Sequence, residues 1–310
     1  MTWSTADIPD LSGRRAVVTG ATGGLGLATA TELARHGAAV TVTARDSVKG
    51  DEYVQQLRAT VPAADVELQL LDLADLDSAK RAAEAVASRH DRIDILVNNA
   101  GVMATPDRTT ADGFELQIGT NHLGHFAWTA ALWPTLLASN ARVVTVSSLM
   151  HATVKGIDLS SLTTAGSSRR YRRWKSYGES KLANLVFAKE LDRRIKAAGL
   201  GVISVAAHPG YANTNLQSAG LNLGRSALPG QAMHQISRVI GQPAEHGAWP
   251  TLMAATDPAL TGGEYVGPSG PGQMRGRPKL VGMTRAARDE QLADALWDAS
   301  ESATGVTFTV

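Results

Sequence analysis

From residue 15 onward, short apolar runs alternate with longer stretches in which apolar residues recur at helical spacing. Residues 15–19 form a β-branched apolar run that ends in a glycine cluster, and residues 25–36 follow as an alanine- and leucine-rich helix. The same alternation predicts strands at 40–43, 66–70, 93–97, 142–146 and 202–206. Helices are predicted at 51–59, 78–89, around 123–137, and at 177–198. Strands that alternate with helices build a parallel sheet covered on both faces. The expected fold is therefore α/β, one Rossmann-type doubly wound parallel sheet of about seven strands with helices on both faces. No internal repeat or linker divides the chain, so residues 1–310 are read as a single domain.

Two stretches break the rhythm. Residues 149–176 and 212–243 are too long and polar for simple turns, and each follows a predicted strand. Ligands of open α/β sheets bind beyond the carboxyl ends of the strands, so both segments are candidate substrate walls. The tail, 284–304, places Leu292, Leu296 and Trp297 on one stripe and reads as a terminal amphipathic helix packed on the body.

Composition removes several functions. With 30 basic against 29 acidic residues, the net charge of +1 provides no broad field for a phosphate polymer, and no nucleic-acid partner is expected. The run Arg169-Arg170-Tyr171-Arg172-Arg173-Trp174-Lys175 has the look of a nucleic-acid contact, but it lies just ahead of Tyr177. It is read instead as an active-site loop, with Tyr171 and Trp174 near the substrate entrance and a solvated loop as the plainer alternative. The absence of cysteine excludes disulfides, thiolate nucleophiles and cysteine-ligated metals. His122, His125, His151 and His208 form no i, i+4 ligand pair backed by a carboxylate, and no metal is expected. There is no signal-like start and no apolar run of membrane-spanning length, so a cytoplasmic protein without a membrane span is expected.

The chemistry starts at Thr19-Gly20-Ala21-Thr22-Gly23-Gly24-Leu25-Gly26, where Gly20, Gly24 and Gly26 cross a turn from strand to helix. Glycine there permits a tight turn and close approach of a pyrophosphate to the helix N-terminal amides. By spacing alone such a pattern arises about 0.3 times per chain of this composition, so its place between strand and helix carries the case. Thr22 and Leu25 belong to the same turn. At the end of the second strand, Ala44-Arg45 stands where a carboxylate would select a ribose 2′-hydroxyl; Arg45 favours a 2′-phosphate, hence NADP(H) over NAD(H), although Asp46 follows at once. Asp72 and Leu73 after the third strand, and Asn99-Ala100-Gly101 after the fourth, are further cofactor candidates or simple turn residues. Tyr177 and Lys181 lie four apart on one helical face. A tyrosine that works near neutrality must be shifted by about 3 units from 10, roughly 4 kcal/mol, and a neighbouring ammonium with a cationic nicotinamide ring could supply that shift. Ser147-Ser148 ends the fifth strand, where a hydroxyl would orient a substrate carbonyl.

Taken in order, Thr19-Gly20-x-x-x-Gly24-x-Gly26, Asn98-Asn99-Ala100-Gly101, Asn121, Ser148, Tyr177-x-x-x-Lys181 and Pro209-Gly210 resemble the short-chain dehydrogenase/reductase family over nearly the whole chain. Segments such as Asn121-His122-Leu123-Gly124-His125-Phe126 are similar to its retinol dehydrogenase-like and WW-domain oxidoreductase-like branch. The resemblance implies that Tyr177 is the general acid and base, Ser148 holds the carbonyl, Lys181 binds the nicotinamide ribose and lowers the tyrosine pKa, and Asn121 anchors a relay water. It also implies that Pro209, Gly210 and Thr214 sit against the nicotinamide. The partner expected is a small carbonyl or alcohol. Many relatives pair as homodimers through the helices after Asn121 and Tyr177, while members with long loops are sometimes monomers, and both remain open. A second reading is a non-catalytic NADP(H)-sensing regulator; the complete set Asn121, Ser148, Tyr177 and Lys181 weighs for catalysis.

Overall fold

The computed structural model describes residues 3–162, 170–211 and 242–310. Its sheet has eight strands: β1 Arg15–Val18, β2 Ala39–Ala44, β3 Val66–Leu70, β4 Ile95–Asn98, β5 Arg142–Val146, β6 Ile203–Ala207, β7 Tyr265–Pro268 and β8 Pro278–Leu280. They run in the order β3-β2-β1-β4-β5-β6-β7-β8, all parallel except β8, which lies antiparallel on β7. The extra strand is a three-residue edge strand, Pro-Lys-Leu, too short to leave an alternating pattern. Proline is tolerated there because an edge strand need not donate on its outer side.

The central strands are apolar at both parities, and the two faces part cleanly. Ala16, Val18, Ile95 and Val97 pack under α1 (Gly24–Arg35), α2 (Ser47–Thr60) and α8 (Ala244–Thr256). Val17, Leu96 and Val143 pack under α3 (Leu76–Arg89), α5 (Gly124–Ala131) and α7 (Arg173–Ala197). A strand buried on both sides reads as a continuous hydrophobic run, which is what residues 15–19 showed. α9 (Glu290–Thr304) closes the second face, where Trp297 and Phe308 join Phe126, with ring centroids 5.2 Å and 5.6 Å from it.

Two helices depart from expectation in ways that matter for the site. The stretch around 123–137 is not one helix: the single turn α4 (Leu116–Ile118) runs into a π-helical turn, Gly119–Leu123, then α5, then α6 (Trp133–Ala138) with proline in its first turn. A π turn inside a helix offsets the residues that follow, and here it contains Asn121. α7 begins four residues before Tyr177, and seventeen of its 25 residues are buried, because it crosses the middle of the molecule rather than its surface. Beyond β6, Tyr211 and Gln242 are joined by a backbone hydrogen bond of 3.0 Å, and Tyr211 N donates to Met274 O at 2.7 Å. Among the described residues no helix is long and apolar enough to cross a membrane.

Candidate active site

Chain order reverses between β1 and β4, and at their carboxyl ends the sheet opens into a cleft of about 280 Å³. Gly20, Thr22, Gly24, Leu25 and Gly26 line it from the β1–α1 turn, Arg45 from the end of β2, Asp72 and Leu73 from the end of β3, and Asn99, Ala100 and Gly101 from the end of β4. The turn is held by Thr19, whose Oγ1 accepts from Asn99 N (2.9 Å) and Ala100 N (3.0 Å), and by Thr43 Oγ1, which accepts from Gly20 N (3.2 Å). Gly20 takes φ 66°, and a Cβ on it would stand 2.9 Å from Ala100 Cα, so no side chain fits. Gly23 at φ 157° starts α1 without a side-chain cap, which leaves the first amides of the helix beside the cleft. Uncapped amides together with Arg45 make a donor set suited to a phosphate-bearing dinucleotide. Asp46 is occupied elsewhere: its carboxylate caps α2 by accepting from Lys49 N at 2.9 Å. Arg45 is exposed and makes no ion pair among the described residues. Asp72 and Asn99 also serve local structure, Asp72 Oδ1 accepting from Ala74 N (2.9 Å) and Asn99 Nδ2 donating to Thr19 O (2.8 Å). Thr43, Leu71, Val102 and Thr120 share the wall and were not singled out from the sequence. Of these only Thr43, a polar residue at the end of a buried strand, carried a readable signal.

The cleft ends at Gly101. A Cβ there would lie 3.0 Å from Asn121 Oδ1 and 3.5 Å from Lys181 Nζ. Asn121 is fully buried; its side chain accepts from Val102 N (2.7 Å) and donates to Val102 O and to Ser180 Oγ (2.9 Å each). Ser180 Oγ in turn donates to Tyr177 O at 2.8 Å. Of the two serines after β5, Ser148 is the one beside the Tyr177 phenol, whereas Ser147 Oγ donates to Lys181 O at 2.7 Å. Lys181 Nζ is 6.0 Å from the centre of the Tyr177 ring and donates to Val146 O at 3.1 Å, the same carbonyl that receives Asn184 Nδ2 at 3.1 Å. The structure therefore brings Asn121, Ser148, Tyr177 and Lys181 together at one end of the cleft.

Burial dominates the electrostatics. It pushes the Tyr177 phenol up to about 12, against a smaller lowering by the Ser148 hydrogen bond, and pushes Lys181 down to about 8. The chain alone thus keeps the phenol protonated, and the downward shift expected from the sequence needs a further positive charge. Burial also raises the pKa of Tyr265, a residue of β7 that lies beside Ser147 and whose hydroxyl stands 3.4 Å from His151 Nδ1. Sequence reasoning missed Tyr265, since nothing in a strand 88 residues downstream marks it as a neighbour of Tyr177.

The remaining expectations fall outside this cluster. Pro209 and Gly210 follow β6; Pro209 O accepts from Gln242 Nε2 at 2.8 Å, and Gly210 packs on Met274 O. Thr214 lies outside the described residues. Tyr171 does not stand free at an entrance: its hydroxyl donates to Thr105 O (2.9 Å) and accepts from Gln117 Nε2 (2.8 Å), anchoring the approach to α7. Trp174 is exposed. His122 and His125 are buried and kept neutral, at about 3 and about 4, mainly by desolvation. Among the described residues no group of three or more His, Asp or Glu side chains could hold a metal ion.

Comparison with known proteins converges on the same architecture. The family model described as short chain dehydrogenase matches residues 14–221. Human retinol dehydrogenase 13 is 37% identical over 308 residues, covering 98% of this chain and 87% of that protein. A crystal structure of a protein from Mycobacterium paratuberculosis aligns over 100% of both chains with a TM-score of 0.80 and 42% identity. The Pseudomonas aeruginosa RhlG/NADP active-site complex aligns over 83% of this chain and 94% of that one, with a TM-score of 0.63 and 25% identity. With a doubly wound sheet, a glycine-walled cleft at its switch point and relatives that match from end to end, the chain belongs to the short-chain dehydrogenase/reductase family, whose members are nicotinamide-dependent oxidoreductases acting on alcohol and carbonyl groups.

Proposed function

We propose that this chain is an NADP(H)-dependent oxidoreductase that interconverts a carbonyl compound and its alcohol, with Tyr177 as proton donor and acceptor. The observation that carries the reading is the gathering of Ser148, Tyr177 and a buried Lys181 at the Gly101 end of the cleft, with Lys181 Nζ 6.0 Å from the centre of the Tyr177 ring. NADP(H) bound along the cleft supplies or accepts the hydride. A phenol held at about 12 keeps its proton until a substrate oxygen gains negative charge, and then gives it up, as a general acid should. Ser148, beside the phenol, holds the same oxygen. Lys181 has no carboxylate partner among the described residues, so its charge is free to stabilise the phenolate left behind. In the alcohol-oxidising direction the same phenolate takes the proton back. Asn121 keeps Val102 and Ser180 in place and so fixes the position of the tyrosine's helix.

The preference for NADP(H) is supported by the pairing of Ala44 with an exposed Arg45, and by the commitment of Asp46 to the cap of α2, which leaves no carboxylate at the strand end for a ribose 2′-hydroxyl. The retinol dehydrogenase relative makes polyene aldehydes a natural part of any substrate search. The test is consumption of NADPH, with NADH in parallel, against aliphatic, aromatic and polyenal carbonyls, comparing the wild type with Tyr177→Phe. Turnover with NADPH that disappears in the variant is expected; NADPH binding without tyrosine-dependent turnover on any compound would overturn the reading.

A further inference from the structure

One buried side chain touches both halves of the site and has no part in the chemistry above. His125, the second residue of α5, is 1% exposed, and its two ring nitrogens face different elements. Nδ1 is 2.9 Å from the Asn121 carbonyl oxygen, and Nε2 is 2.9 Å from Thr19 Oγ1. A carbonyl only accepts, so Nδ1 carries the proton and Nε2 presents its lone pair. The Thr19 hydroxyl therefore donates to the ring at 2.9 Å in preference to the Val97 carbonyl at 3.3 Å, while its oxygen receives the amides of Asn99 and Ala100. The hydrogen bonds run in one direction, from the turn after β4 through Thr19 and His125 to Asn121, with a single tautomer throughout.

The two ends of this chain differ in what they control. Thr19, Asn99 and Ala100 set the wall of the cleft at the switch point of the sheet. Asn121 lies in the π turn, where the helical ladder is offset, and its side chain reaches through Ser180 to the backbone of Tyr177. We propose that His125 is a positioning residue that holds the cofactor cleft and the Tyr177 helix in register, through Thr19 on one ring nitrogen and Asn121 on the other. The proposal rests on the function read above. Burial, with the Lys181 ammonium nearby, keeps the ring neutral at ordinary pH against the opposing hydrogen bond to Asn121, so the link does not open and close with protonation.

Two amide substitutions separate the ends. Asparagine places a donor where Nδ1 stands and lacks the reach to Thr19; glutamine places an acceptor where Nε2 stands and loses the donor to Asn121. The Kd for NADPH, from quenching of intrinsic tryptophan fluorescence, and kcat for carbonyl reduction are measured on the full chain of each variant. One lost hydrogen bond corresponds to about tenfold. His125→Asn is expected to weaken NADPH binding about tenfold more than His125→Gln does, and His125→Gln to lower kcat about tenfold more than His125→Asn does. If both variants change Kd and kcat by the same factor, or leave both unchanged, the proposal is wrong. Should the wild type bind NADPH but turn over nothing, the proposed function fails by itself, and the ratio of the two Kd values still decides the role of His125. Should neither variant fold, NMR of the 15N-histidine-labelled wild type decides: a neutral Nδ1–H ring from pH 8 to about 5 is expected, and an Nε2–H ring or an imidazolium in that range would overturn the proposal.

Discussion

Gly26→Ala puts a methyl group where the chain has none to spare. An added Cβ would lie 2.6 Å from Asn99 Nδ2 and 3.0 Å from Ala21 Cα, and closer still to the Gly20 carbonyl. These neighbours are committed: Asn99 Nδ2 donates to Thr19 O at 2.8 Å and to Gly20 O at 3.4 Å. Forcing the turn away costs about 1–3 kcal/mol of overpacking and about 1 kcal/mol for the weakened hydrogen bonds. The gain in helix propensity from glycine to alanine returns only about 1 kcal/mol. The net expectation is a loss of about 2 kcal/mol in stability. Because the displaced atoms form the wall of the cleft, NADPH affinity should fall about 10- to 100-fold. Urea denaturation measures the first and fluorescence titration the second. Gly282→Ala, which meets nothing within 4 Å, is the control and should stay within about 0.5 kcal/mol of wild type. A Gly26→Ala protein as stable as wild type that binds NADPH as tightly would refute the reasoning.

Three further outcomes are expected. Arg45→Ala removes an exposed cation worth roughly 1–2 kcal/mol against a 2′-phosphate, so KM for NADPH should rise about tenfold while KM for NADH stays within about twofold; equal changes for both cofactors would contradict the assignment. Burial pushes the Asp94 carboxyl up, but hydrogen bonds from Arg14 Nη1 (2.8 Å), Arg15 N (2.9 Å) and Arg92 outweigh it and hold the pKa below 3.8. A depressed folded-state pKa stabilises above the unfolded value and stops doing so as pH falls through the folded one. Asp94→Asn should therefore cost about 2 kcal/mol at pH 7, with a gap to wild type that closes only below the ordinary carboxylate range; a gap independent of pH would contradict this. Phe308→Ala empties a site between Trp133, Phe126 and Trp297 and should cost about 3 kcal/mol in denaturation. A loss under about 1 kcal/mol would show that the tail does not seal that face.

The alternation of strands and helices was legible because the central strands are apolar on both faces, and the glycine run between β1 and α1 was legible because the turn admits no side chain at Gly20 or Gly26. Other features left no local trace. The π turn at Gly119–Leu123 looks like ordinary helix in a periodicity, since one extra residue per turn changes no residue type. The onset of α7 four residues ahead of Tyr177 has little local signal, because Arg172, Arg173 and Lys175 crowd its N-terminus, where the helix dipole disfavours positive charge, and no side chain caps it. β7 and β8 are embedded in glycine and proline, and the proximity of Tyr265 to Ser147 depends on a contact 118 residues apart in sequence. The choice between Ser147 and Ser148, adjacent in sequence, became a geometric difference: one hydroxyl faces the backbone of α7 and the other the phenol.

The central claim is hydride transfer with a proton from Tyr177, and following the label tests it most directly. With NADPH deuterated at the transferring position of the nicotinamide C4 and a carbonyl that the enzyme accepts, mass spectrometry of the product reports where the hydride goes. The expected result is one deuterium on the carbinol carbon for each NADPH consumed by the wild type, and a rate lower by about 10²-fold or more in Tyr177→Phe. Product without deuterium, or a Tyr177→Phe protein that transfers it as fast as wild type, would contradict the account.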